Sequence, residues 1–334
     1  MKAKQVIGVV AACVVIAVTG VLGAATNILE NSKTKEQKEK TSIWSASSLS
    51  EEVILPIEDF IGQVNVEGEI MPSSDDVFAT MSGYDHDATM KYIDAMMDAE
   101  NNKGIMLYIN SPGGTVYESD ELYLKLMEYK QVTGRPIWAY FGAEACSGGY
   151  YIAMAADHIV ANRNCWTGSV GVVISLVNCK DLYDKLGVKE IDITSGKNKA
   201  MGSMGLDLTK EQQAILQSLV DEAYDQFVGI VCEGRQLDDA TVRKLADGRI
   251  YSAKQALENK MVDAIGSLEE AKVAFAEQNQ FPEDITYFEL EDEMSDFWNG
   301  LFSAVQQVKP KTELELAEDI MENRGNGVLK YYAK

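Results

Sequence analysis

The chain has 334 residues, and 30 Lys and Arg against 52 Asp and Glu give it a net charge of −22. That balance excludes a nucleic-acid grip, which runs on clustered cations, and 46% hydrophobic with 25% charged residues excludes wholesale disorder. Only two histidines, His86 and His158, are present, and there is no HExxH, P-loop or GxGxxG. Zinc hydrolysis, nucleotide hydrolysis and dinucleotide binding therefore lack their local signatures, and neither metal nor cofactor is expected. Cys13, Cys146, Cys165, Cys179 and Cys232 form no CxxC pair and no disulfide scaffold.

After Lys2 and Lys4, residues 6–25 carry no charge, and Thr19 is the one hydroxyl among them. Such a run is long enough to cross a hydrocarbon core as a helix. Residues 1–26 therefore read as a signal anchor; the alternative, a cleaved signal peptide, has a shorter apolar region. Lys33, Lys35, Lys38 and Lys40 outnumber the two lysines ahead of the run, which opposes export, whereas a short basic start followed at once by an apolar run favours it. The expectation is a single-pass protein of the cell membrane with its main domain outside the cytoplasm. Residues 27–52, rich in Lys, Glu, Ser and Thr, read as a polar linker.

From 53 to 285 short apolar runs alternate with helical patterns, the signature of βαβ units and a mostly parallel sheet in an α/β fold. The pattern predicts strands at 105–109, 136–141, 170–175 and 188–193, and helices at 116–129 and 148–156. Thr209 followed by Gln212 predicts a capping box opening a helix to about 231. Residues 286–334 read as an acidic tail, in which Phe297, Leu301, Val305 and Val308 fall at helical spacing. Its last residues, Leu329 to Lys334, are either an inert end or a peptide that a peptidase could bind or trim.

Asn110-Ser111-Pro112-Gly113-Gly114 lies between a strand and a helix, where its amides can face a ligand. A plain Pro-Gly turn would look the same. Ala145-Cys146-Ser147-Gly148-Gly149 repeats the arrangement, placing Ser147 at a strand-to-helix turn as nucleophile or as simple N-cap. Cys146 is a rival nucleophile, but a thiol needs an electropositive setting that nothing local supplies. His158 lies at the far end of the helix after Ser147, and His86 reads as a surface residue. A lysine base is then the economical choice, from Lys197 or Lys199 in Ser195-Gly196-Lys197-Asn198-Lys199. Such a base needs its pKa drawn from about 10.4 towards 7 by burial, about 4 to 5 kcal/mol of differential stabilisation.

NSPGG at 110–114, ACSGGYYIA at 145–153, TGSVGVV at 167–173, SGKNK at 195–199 and DGRIYSAKQALENKMVDAIG at 247–266 together resemble bacterial signal peptide peptidase A. That resemblance spans residues 61–271 and implies a Clp-protease/crotonase-like fold of repeated ββα units. It implies Ser147 as nucleophile, Lys199 as general base and Ser169 as the serine holding the lysine amine. Gly114 and the Ser147 amide would form the oxyanion hole, with Gly113 as a further donor. It also implies membrane anchorage, a ring-like homo-oligomer, and substrates that are leftover signal peptides or other membrane-proximal polypeptides. A crotonase-like acyl-CoA enzyme and a non-catalytic membrane assembly module are the competing readings.

Overall fold

The computed structural model describes residues 53–73, 83–290 and 330–332. The expected anchor, the linker and the predicted helix around 297–308 lie outside them. Among the described residues no helix is long and apolar enough to cross a membrane.

The first strand, β1 (Phe60–Glu67), is followed by α1 (His86–Asp98), β2 (Asn102–Ser111), the short β3 (Gly113–Thr115), α2 (Val116–Thr133) and β4 (Ile137–Cys146). A short helix α3 (Gly148–Ala153) leads to β5 (His158–Ala161), β6 (Trp166–Gly168), α4 (Lys180–Leu186), α5 (Lys210–Arg235) and α6 (Asp239–Leu245). Next come β7 (Ile250–Ser252), α7 (Ala253–Glu258), β8 (Ala264–Ile265), α8 (Leu268–Gln278), β9 (Thr286–Glu289) and β10 (Lys330–Tyr332).

An eight-stranded sheet runs in the order β7-β6-β4-β2-β1-β9, with β5 pairing β4 and β8. Every pair in it is parallel except β6 with β7. Its central strands are covered on both faces, and the two-residue period of a strand divides them between two cores. Ile105, Leu107 and Ile109 of β2 join the larger cluster with Phe60, Ile93, Leu126, Tyr150 and Phe227. Met106, on the opposite face, joins Ile61, Trp138, Tyr140 and Phe275.

Helix α2 ends on Gly134, whose φ of 67° lets its amide reach Lys130 O. Helix α5 opens with the predicted box, the Thr209 side chain accepting from the Gln212 amide and the Gln212 side chain from the Thr209 amide.

Three expectations are corrected. Residues 188–194 form no strand, and Ile191 and Ile193 are 80% and 97% exposed; a β-prone run with no sheet edge to join stays irregular. The strand expected at 170–175 is reduced to an isolated bridge residue, Val173, because β6 ends at Gly168 and Ser169 turns with a φ of 49°. The acidic tail begins later than residue 286, since β9 pairs in parallel with β1 from Phe60↔Thr286 to Gln63↔Glu289.

Candidate active site

The ends of β2, β4 and β6 meet at one edge of the sheet, and the two small-residue turns lie there. Beyond Ser111 the chain bends into β3, and Ile70 straps it from outside. Ile70 N donates to Gly113 O at 2.8 Å and Thr115 N to Ile70 O at 2.9 Å. A Cβ on Gly114 would stand 1.8 Å from Ile70 O, so only glycine admits this approach. Amides alternate sides along a strand, so the Gly114 amide faces away from Ile70, towards the edge where β10 runs antiparallel with Tyr331 opposite Gly114. An extended peptide from this chain's own tail therefore lies along β3.

Ser147 sits in the β4–α3 turn with φ 53° and ψ −116°. A non-glycine residue in this region is strained by about 1 to 3 kcal/mol and persists only where its surroundings enforce it. Here they do. Ser147 N donates to Gly168 O at 2.8 Å, and Ser147 O accepts from Tyr151 N at 2.9 Å. The residue is fully buried, yet its Oγ has no hydrogen-bond partner among the described residues. A strained strand-to-helix turn presenting an uncommitted hydroxyl is the geometry of a nucleophile elbow, not of an N-cap serine, which would bond its own helix.

Two expected oxyanion donors are corrected. The Ser147 amide is committed to Gly168 O, and the Gly113 amide donates to Ser111 Oγ at 3.1 Å. The amide of Gly148, first in α3, has no carbonyl of its own helix to bond. A Cβ built on Gly148 would lie 3.2 Å from Gly114 N, so Gly148 and Gly114 are close neighbours.

Ser169 is nearly buried and follows directly on Gly168, whose carbonyl holds Ser147. It lines a cavity of about 360 Å³ with Val172, Val173, Val220, Tyr224 and Asp247. Lys199 is not brought to Ser147: it is exposed in the loop after α4. Lys197 is also exposed and pairs with Glu211 at 2.7 Å.

Cys146 is buried, its Sγ donating to Trp166 O at 3.6 Å. Burial, with Glu144 adding to it, pushes this thiol up to about 12, so it stays protonated at neutral pH.

Neither histidine serves the serine. His158 stacks on Trp138 at 4.3 Å between ring centres, in β5. His86 is a correction, because it is buried rather than on the surface. Its Nδ1 pairs with Tyr84 Oη at 2.7 Å and its Nε2 with Glu121 Oε2 at 2.9 Å.

Sequence reasoning assigned no role to Glu118-Ser119-Asp120 in the first turn of α2. Glu118 is buried, its carboxyl accepts from Thr115 Oγ1, and desolvation raises its pKa. Asp120 Oδ1 accepts from the hydroxyl of Tyr151 at 2.5 Å. The available signal was position alone, immediately after NSPGG.

The model for Peptidase family S49 matches residues 130–281, and that for Clp protease matches residues 74–167. The chain is 35% identical over 243 residues to a signal peptide peptidase SppA of Enterococcus faecium, covering 72% of this chain and 70% of that one. The chain belongs to peptidase family S49. It is a serine endopeptidase with a Clp-protease-like α/β fold. It is also 36% identical over 211 residues to Protease 4 of Haemophilus influenzae, covering 63% of this chain and 33% of that longer one. Over 187 residues it is 30% identical to the chloroplast serine protease SPPA of Arabidopsis thaliana, covering 56% of this chain and 27% of that one.

Proposed function

We propose that the chain hydrolyses peptide bonds through an acyl-enzyme formed on Ser147, with Lys199 as general base. The observation that carries this reading is the strained, buried Ser147 with its unbonded Oγ. Neutral Lys199 takes the Ser147 proton as the hydroxyl attacks the carbonyl carbon, and the amides of Gly114 and Gly148 hold the oxyanion. The lysine then gives that proton to the leaving amine as the C–N bond breaks. A water deprotonated by the same lysine hydrolyses the ester and returns Ser147. In this reading Ser169, one residue beyond the carbonyl that accepts from the Ser147 amide, orients the lysine amine once the base is in place.

Lys199 is exposed in the single chain, whereas a lysine base needs burial to shed its proton. This favours a dyad completed between copies. The end of α4 and the loop after it, which carries Lys199, expose Leu186, Val188, Ile191 and Ile193, apolar surface that a second subunit would cover. A homo-oligomeric ring, anchored through residues 6–25 with its peptidase domains outside the cytoplasm, follows from this reading. Its substrates are leftover signal peptides or other unfolded membrane-proximal polypeptides. The pairing of β10 with β3 supports substrate binding as an added antiparallel strand.

The test is hydrolysis of an unfolded protein by wild type, Ser147→Ala, Lys199→Ala and Lys197→Ala. Loss in the first two variants with survival of the third is expected. Unchanged cleavage by Ser147→Ala would overturn the mechanism.

A further inference from the structure

We infer that Ser119 is a positioning residue for the reaction, a spacer that fixes the separation of the Gly114 and Gly148 amides; the inference rests on the oxyanion assignment above. Ser119 is fully buried, and its Oγ donates to Thr115 O at 2.7 Å. That bond ties it to the strand bearing Gly114. On its other side the hydroxyl abuts the first residue of the nucleophile helix: a Cβ on Gly148 would meet Ser119 Oγ at 2.4 Å, Gly114 N at 3.2 Å and Gly113 Cα at 3.4 Å. One oxygen atom is thus wedged between the two turns whose amides must converge on one ligand atom.

The residues flanking Ser119 brace the same junction. Glu118 accepts from the hydroxyl of Thr115, fixing the end of β3. Asp120 accepts from Tyr151 one turn after Ser147, and Gln226 of α5 donates to both Asp120 Oδ1 at 3.0 Å and Tyr151 Oη at 2.8 Å. A buried helical serine bonding the carbonyl four residues back is common, and by itself would affect only stability. The contact with Gly148 is what gives Ser119 a role in geometry, because oxyanion donors act only when aimed at the developing charge.

The experiment measures kcat, KM and affinity for a peptide boronic acid, a tetrahedral mimic, in full-length protein. Ser119→Ala is expected to lower kcat and boronate affinity together, by about tenfold or more, with KM for peptide within about twofold. Its pH profile should keep the wild-type limb, since the base is untouched. Gly148→Ala should be strongly impaired by collision with Ser119 Oγ, and Gly148→Ala/Ser119→Ala should recover part of that loss. Should Ser119→Ala fail to fold, Ser119→Cys, which places a larger atom at the wedge, is expected to show the same selective fall in boronate affinity. Wild-type kcat and boronate affinity in a folded Ser119 variant, or a double variant no better than Gly148→Ala, would overturn the role of Ser119. Activity in Ser147→Ala would instead overturn the reading on which it rests.

Discussion

Gly114→Ala gives the sharpest test of how the oxyanion strand is built. The new Cβ would lie 1.8 Å from Ile70 O, 2.5 Å from Ile70 C and 2.7 Å from Ile70 N, all backbone atoms, where real contacts stay beyond 3.0 Å. The Ile70 strap must therefore retreat by about 1.2 Å or more, which breaks the bonds Ile70 N→Gly113 O and Thr115 N→Ile70 O. Each such bond contributes about 0.5 to 1.5 kcal/mol, and a buried group left unpaired costs about 1 to 3 kcal/mol. A loss on the order of 3 to 5 kcal/mol follows, less where water reaches the freed groups. Urea unfolding of wild type and variant measures it, and peptide hydrolysis below the transition should fall by about 100-fold for a 1 Å displacement of the amide. A variant within about 0.5 kcal/mol of wild type and fully active would refute the account of this strap, since surface-like tolerance is confined to such values.

Cys146→Ser should retain most activity, and the native thiol should resist iodoacetamide at pH 7, because burial holds it up to about 12; rapid alkylation with loss of activity would reinstate the thiol as a nucleophile. Ending the chain before Lys330 should raise the initial rate on short peptides severalfold, because β10 occupies β3, and an unchanged rate would show that the tail does not compete. Mixed oligomers of Ser147→Ala and Lys199→Ala subunits should regain activity if the dyad is shared, and silence in verified mixed oligomers would contradict sharing.

Asp263 supplies a pH prediction. Burial opposes its ionisation, but the two hydrogen bonds from Arg235, at 2.6 and 3.0 Å, and one from the Ile159 amide more than offset that and hold its pKa low. The sign is that of a depressed acid: its stabilisation is complete above the unfolded carboxylate value near 4 and is lost as pH falls through the lower folded value. Asp263→Asn should melt lower at pH 7 by a few degrees and close the gap to wild type in strong acid. Equal melting at pH 7 would count against it.

The central strands and the helices flanking the site were legible in sequence because β2 and β4 are buried on both faces, so their apolar runs are continuous, and because the Thr209–Gln212 cap is local. The turn that carries Ser147 was legible for a related reason, as a small-residue turn between a buried strand and a helix admits few geometries. What escaped depends on partners distant in sequence. The Ser147 amide is taken by Gly168 on β6, and buried His86 bonds Glu121, 35 residues away. Ser119 and Asp120 look like a solvated helix face until α3 packs on them. Ile191 and Ile193 have strand propensity, but no strand pairs with them among the described residues.

Labelling with a peptidyl fluorophosphonate, read by mass spectrometry, tests the central claim most directly. A single adduct on Ser147 is expected in wild type and Lys197→Ala, with labelling slowed to background in Lys199→Ala. An adduct on any other residue, or wild-type labelling in Lys199→Ala, would contradict it.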